Sequence, residues 1–352
     1  MTEVIRVSPD RPDPAAIARA AECLRAGGLV AFPTETVYGL GVHALDRAAL
    51  RRLFVAKQRP ATDPLIVHVA SVDQLAPLLA VVPDTVPTLA RLFWPGPLTL
   101  VLPRSAAVPD EVTAGLDTVA VRVPAHPVAR ALITAAGIPI AAPSANLFSR
   151  PSPTQASHVF DDLNGRIDLI VDGGATTIGV ESTVLDLSGD VPTVLRPGAV
   201  TVEMLREVFP RVDVSTAIAI GSPMPSPGLL EKHYSPRAPL TLFEGRRDAA
   251  LPSLIVAARS ALAEGKSVGI IAADEDREAL AALGEPNRRI LLRTIGSQEA
   301  VEAVAARLYA SLRELDASGA DVILVRSFPT DGIGVAVQDR LRRAAAGRII
   351  HC

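Results

Sequence analysis

Between Val212 and Pro239 the chain loses hydrophobic periodicity and carries five prolines, Pro223, Pro225, Pro227, Pro236 and Pro239. Proline fixes φ and removes a backbone donor, so this stretch cannot run through the middle of a helix or sheet. It reads as an extended connection, 210–239, between a segment 1–209 and a segment 240–352. Two domains are also what a 352-residue chain leads one to expect.

Behind the break the pattern is regular. Strands are expected at Leu240–Phe243, Ser267–Ala272, Arg289–Thr294 and Asp321–Val325. They alternate with helices at Leu251–Ala263, Arg277–Leu283, Gln298–Ala317 and Val335–Ala346. Such alternation predicts a small Rossmann-like parallel-sheet domain. No Gly-x-Gly-x-x-Gly follows its first strand, so dinucleotide binding is not supported. Gly265-Lys266-Ser267 precedes a strand and has Ser260 where a phosphate loop would have glycine, so it reads as a turn with a solvated lysine.

Ahead of the break, strands and helices mix without a repeat, which predicts an α/β or α+β domain. Asp13-Pro14 and Asp46 are helix starts, and Leu50, Leu53 and Phe54 form an inner stripe that Lys57 continues. Between the strand Leu29–Phe32 and that second helix lies a stretch, Pro33 to Gly41, read as a polar loop. Further strands fit Leu65–Val69, Leu98–Leu102, Thr118–Val123, Ile138–Ala141, Leu169–Val171, Thr183–Leu187 and Thr193–Leu195, with a helix over Val128–Ala136.

Aromatic residues make up 3% of the chain and the net charge is −3, which argues against a base-stacking platform or a surface built for nucleic-acid phosphates. Two cysteines, Cys23 and Cys352, support neither a disulfide framework nor a Cys-rich zinc site. The N-terminus has no apolar signal core, and the most apolar stretch, Ala131 to Pro143, is broken by Gly137 and Pro139 and too short to span a bilayer. A cytoplasmic protein is expected.

Lys57, Arg59, Arg122 and Arg196 lie at element ends or inside apolar strands, outside any solvated charge run. A buried arginine needs an anion, which a structural salt bridge or a ligand supplies equally well. Four such cations beside Ser144-Ala145-Asn146, Ser149-Arg150-Pro151-Ser152 and Glu181-Ser182-Thr183 favour a phosphate-bearing ligand. His68, in the apolar run Leu65–Val69, is by itself more often a core histidine than a ligand.

Several of these residues belong to motifs. Pro33-Thr34-Glu35-Thr36-Val37-Tyr38-Gly39-Leu40-Gly41 is followed by Lys57-Gln58-Arg59-Pro60 and Pro64-Leu65-Ile66-Val67-His68. Next come Trp94-Pro95-Gly96-Pro97-Leu98-Thr99, Arg122-Val123-Pro124 and Ala142-Pro143-Ser144-Ala145-Asn146. Glu181-Ser182-Thr183-Val184 and Leu195-Arg196-Pro197-Gly198 complete the series. In this order the motifs resemble the YrdC-like family of threonylcarbamoyl-AMP synthases. The stretch Ser226-Pro227-Gly228 to His233-Tyr234-Ser235-Pro236, with a domain behind it, is similar to the family's long form. Leu230 and Glu231 depart from it, standing where a basic residue and an aromatic are expected.

The resemblance implies a twisted sheet around a deep cavity and an enzyme that joins ATP, L-threonine and bicarbonate into the activated intermediate of a tRNA modification. It implies Thr36, His68, Arg122, Ala142 and Ser182 as threonine contacts. Arg59, Asp63, Thr118, Ser144, Asn146, Ser152, Arg196 and Tyr234 are implied as ATP contacts. Lys57 and Arg59 carry the catalytic charge, Mg2+ comes with ATP, and the product passes to a threonylcarbamoyl transferase acting on tRNA. Strong direct nucleic-acid binding is not expected. The linker is expected to close over the site, with Tyr234 against the nucleotide. Two other readings are a carbamoyltransferase-type module of the same fold, whose cysteine pairs this chain lacks, and an RNA-binding module.

Overall fold

The computed structural model describes residues 1–215, 224, 233–281, 283 and 289–352. The stretch Ser226-Pro227-Gly228, part of the linker expected to close over the site, lies outside them. The described residues fall into two compact units, 1–148 with 152–215, and 149–151 with 233–352.

In the first unit the strands are β1 (Glu3–Arg6), β2 (Val30–Pro33), β3 (Tyr38–His43), β4 (Ile66–His68), β5 (Leu98–Pro103) and β6 (Thr118–Arg122). They continue with β7 (Ile140–Ala141), β8 (Leu169–Asp172), β9 (Thr183–Asp186), β10 (Thr193–Arg196) and β11 (Asp213–Val214). All belong to one mixed sheet of order β1-β8-β2-β3-β7-β4-β6-β5-β9-β10-β11. Because β11 pairs with β10, the sheet runs past Phe209, where the change in composition had suggested a boundary.

The helices are α1 (Pro14–Arg25), α2 (Arg47–Lys57), α3 (Val86–Phe93), α4 (Asp110–Thr113), α5 (Pro127–Ala136), α6 (Ala156–Leu163) and α7 (Val202–Arg206). Asp13 and Asp46 cap α1 and α2 as their side chains predict, accepting from the Ala16 and Ala48 amides at 2.9 and 2.8 Å. α1 and α5 bury Ile17, Leu24, Leu132 and Ile133 against Val30, Phe32 and Val171 of one sheet region. Leu50 and Leu53 of α2 enter the larger core with Leu40, Val67 and Val121. That stripe carries Lys57 inward, to 1% exposure. The helix stops one residue later, where Gln58 turns left-handed at φ 54°, two residues before Pro60.

The expected loop from Pro33 to Gly41 is half strand. Tyr38–Gly41 belong to β3, which pairs antiparallel with β2. Glycines hid this strand, yet Gly41 is required there: a Cβ would lie 2.7 Å from the Phe32 ring and 2.9 Å from Ile140. The turn itself is tied by Thr34, whose hydroxyl accepts from the Thr36 and Val37 amides at 3.2 Å.

The second unit is a five-stranded sheet of β12 (Leu240–Glu244), β13 (Val268–Ala272), β14 (Ile290–Thr294), β15 (Val322–Arg326) and β16 (Ile349–His351). Its order is β14-β13-β15-β12-β16, parallel throughout. α8 (Arg247–Ala263), α9 (Arg277–Ala281), α10 (Val301–Ala317) and α11 (Gly334–Ala345) alternate with the strands. The alternation read from the sequence is present, with β16 added at the end. Lys266 is exposed beside Glu264 in a turn ahead of β13, as read.

Candidate active site

Sheet register builds the first part of the site. β4 lies beside both β6 and β7, so His68 is opposite Arg122 on one side and Ile140 on the other. Arg122 is 3% exposed and its guanidinium is held on three sides. Nε donates to the Gly96 carbonyl at 3.1 Å, Nη1 to the Thr36 hydroxyl at 3.1 Å, and Nη2 to Glu35 at 2.7 Å. The second oxygen of Glu35 accepts the Ala125 amide at 3.0 Å. Burial pushes the Glu35 carboxyl up, but Arg122 and the backbone amides outweigh it and hold it below the usual range. Glu35 was not assigned from the sequence. The signal was available: an arginine in an apolar strand needs an acid, and Glu35 is the only one between Pro33 and Gly41.

His68 meets the Phe32 ring edge-on at 6.5 Å. Burial, reinforced by the positive charge of Arg122, pushes its pKa down to about 3, so the imidazole is neutral. Its Nδ1 is buried without a hydrogen-bond partner. An orphaned buried nitrogen costs free energy, which a ligand at this position would recover.

The second part is a cation cluster. Lys57 Nζ donates to the Ser144 and Asn146 carbonyls, the latter at 2.6 Å. Arg59 donates to the backbone carbonyls of Asp63 and Pro64, and its Nη2 lies 2.9 Å from Asp63 Oδ2. That contact is close but off the angle of a hydrogen bond, which leaves both Asp63 oxygens unmatched. Burial raises the Asp63 pKa, while Arg59, Lys57 and Arg196 oppose the rise. One buried carboxylate therefore faces three cations.

Arg196, the third cation acting on Asp63, is held at Ser182. Its Nε donates to the Ser182 carbonyl and its Nη2 to the Ser182 hydroxyl, both at 3.1 Å. That hydroxyl also lies 2.8 Å from Thr99 Oγ1, a fully buried contact absent from the sequence reading. Ser152 donates to Glu181 at 2.5 Å. Ala142, the residue after β7, donates its amide to the Ile66 carbonyl at 2.9 Å. Ser144 bridges to Gly39, and Thr118 begins β6 opposite Pro103.

Tyr234 belongs to the second unit. It is 1% exposed, at φ 59°, with the Tyr309 ring 5.5 Å away and the Arg340 guanidinium 5.4 Å from its centroid. Its ring is thus part of that unit's packing. Among the described residues, no three His, Cys, Asp or Glu side chains form a group able to hold a metal ion.

Residues 22–198 match the family model of Sua5, YciO and YrdC, described as telomere recombination. Residues 200–346 match a model described as the C-terminal domain of threonylcarbamoyl-AMP synthase. A threonylcarbamoyl-AMP synthase of Pyrococcus abyssi is 45% identical over 353 residues, covering 99% of each chain. One of Bacillus subtilis is 45% identical over 337 residues, 95% of this chain and 94% of the relative. The crystal structure of P. abyssi Sua5 complexed with L-threonine superposes with a TM-score of 0.92 at 43% identity, covering 100% of both chains.

Proposed function

The chain belongs to the Sua5/YrdC family of threonylcarbamoyl-AMP synthases, and we propose the following division of labour among its residues. The reaction converts L-threonine, bicarbonate and ATP into L-threonylcarbamoyladenylate and pyrophosphate. The threonine nitrogen first joins bicarbonate with loss of water. A carbamate oxygen then attacks the α-phosphorus, and the bond to pyrophosphate breaks. Such transfers depend mainly on positioning and on neutralising charge at the phosphates.

One observation carries the assignment: the Ser182 hydroxyl lies between Arg196 and Thr99, which ties the Arg196 end of the cation cluster to β5, the strand beside the β6 that carries Arg122. Arg122 takes the threonine carboxylate. Its five N–H donors minus the three engaged leave two, as many as a bidentate carboxylate needs. Neutral His68 uses its orphaned Nδ1, and Thr36, Ser182 and the Ala142 carbonyl complete the threonine contacts. Arg59, Arg196, Ser144, Asn146 and Ser152 bind ATP, together with Asp63 and Thr118. Lys57, tied to two carbonyls of the Ser144–Asn146 loop, holds that loop and places its charge near the carbamate and phosphates.

Magnesium enters with ATP. Among the described residues of this site, the buried carboxylate without a hydrogen-bond partner, Asp63, is surrounded by cations and suits a resident dication poorly. The product, a labile mixed anhydride, passes to a transferase that acts on tRNA, in the cytoplasm. No helix among the described residues is long and apolar enough to cross a membrane. The reading is tested by measuring pyrophosphate release with threonine, bicarbonate or ATP omitted in turn. All three omissions abolish release if it is right; release that persists without threonine rejects it.

A further inference from the structure

Two carboxylates divide the cations of this site very differently. Arg59, Lys57 and Arg196 all act on the single carboxylate of Asp63. Arg122, by contrast, has Glu35 to itself, at 2.7 Å, with both groups buried. Among the described residues, the rest of Glu35's surroundings adds no second cation. Its other oxygen accepts the Ala125 amide, its carbonyl accepts the Ile178 amide at 2.8 Å, and nearby His126 is held neutral by burial.

An arginine inside a site that binds a triphosphate is itself a phosphate site unless something prevents it, because guanidinium binds phosphate and carboxylate in the same bidentate way. A buried like charge beside it supplies the prevention. The Glu35 carboxylate cancels the field of Arg122, and a polyphosphate approaching it would meet a buried anion with little water to screen it. A single carboxylate on a zwitterion suffers much less, since its own ammonium compensates. The two free N–H groups of Arg122 remain available for hydrogen bonds that are specific in geometry and weak in net charge.

We propose that Glu35 is a specificity-determining residue: by pairing with Arg122 it reserves that guanidinium for the amino-acid carboxylate and keeps the phosphates of ATP and pyrophosphate out of the threonine subsite. The proposal rests on the threonine and ATP assignments above, and its test separates the two. Inorganic tripolyphosphate serves as the probe, with threonine affinity read by calorimetry. In the native enzyme, saturating tripolyphosphate changes the threonine Kd less than about twofold, since it occupies only the Lys57–Arg59–Arg196 end. In Glu35→Gln, whose amide keeps the shape but not the charge, tripolyphosphate competes with threonine and raises its apparent Kd about tenfold or more, the size of one charge-assisted contact. Glu35→Asp keeps the charge and restores the native pattern.

A merely structural Glu35 would lower stability in Glu35→Gln without creating this competition. Competition already strong in the native enzyme overturns the proposal, as does its absence in a folded Glu35→Gln. The native arm decides even where the variant does not fold. Arg122→Ala serves as the control: if threonine binds it normally, the threonine assignment itself has failed, whatever tripolyphosphate does.

Discussion

Both units bury arginines and acids, but they use them in opposite ways. In the second unit Arg326, 2% exposed, donates Nε to Asp276 at 2.5 Å, Nη1 to the Ser327 carbonyl and Nη2 to Gln298. The other Asp276 oxygen accepts Arg247 at 2.7 Å. Arg326 at the end of β15, Asp276 in the turn after β13 and Arg247 at the start of α8 are thus tied into one network whose charges point at one another. In the first unit Asp63 has two unmatched oxygens among three cations, and His68 has an unmatched nitrogen. A closed network stabilises a fold; an open one is completed by something that binds. Burial does not separate these two clusters, whereas hydrogen-bond completeness does; the contrast is between the clusters and not the whole units, since Glu244 Oε2 and Gln338 Oε1 of the second are unmatched as well.

The sharpest way to break this contrast is Arg326→Ala. It leaves the fully buried Asp276 with Arg247 and the Ala273 amide but without its buried cation, and loss of one member of a buried ion pair costs about 3–5 kcal/mol. Denaturant unfolding should show that loss, while turnover per folded molecule stays within about twofold. A large loss of activity with little loss of stability would place the second unit's network in the chemistry. In the same spirit, residues 240–352 expressed alone should fold and release no pyrophosphate from ATP and threonine.

In the first unit the balance should reverse, with effects on binding and turnover outrunning those on stability. Arg122→Ala should weaken threonine at least tenfold and ATP less, because a charge-assisted hydrogen bond is worth about 1.5–3 kcal/mol. Calorimetry giving the opposite order would move Arg122 to the nucleotide. Lys57→Ala and Arg59→Ala should each lower product formation about tenfold or more, measured as pyrophosphate release. Near-normal turnover of both folded variants would remove the phosphate end from the mechanism.

How much of this could be read beforehand follows the same division. The second unit's alternation was visible because a parallel sheet under helices has one regular hydrophobic period. The short β16 and the ion network were not, since Asp276 and Arg326 lie 50 residues apart and only the sheet brings their strand ends together. In the first unit, caps such as Asp13 and Asp46 were legible because they act within one turn. β3 was missed because Gly39 and Gly41 carry no side chains to alternate. The motifs supplied most candidate site residues, but Glu35 and Thr99 needed the tertiary contacts to Arg122 and Ser182. Tyr234 was expected beside the nucleotide, and its rings and cation lie within its own unit.

The smallest expected effect concerns His68 and tests whether the open end is tuned to be neutral. Its imidazole is depressed to about 3 in the folded chain, against about 6.5 when unfolded. The unfolded chain therefore binds an additional proton between those values, and linkage requires stability to fall as pH drops through that window. The contribution is fully present above the unfolded pKa and declines steadily below it. Between pH 7.5 and pH 6 the decline from this one group amounts to about 1 kcal/mol. His68→Asn removes the titration, so the difference in unfolding free energy between variant and native protein should itself depend on pH, narrowing or reversing toward acid. Threonine affinity of the native enzyme should show no step near pH 6.5, because the bound-state imidazole stays neutral there. A step at that pH, absent in His68→Asn, would mean that His68 titrates near 6.5 and is charged below it, where the orphaned nitrogen would be a donor and not the acceptor that a neutral ring can present to the ligand.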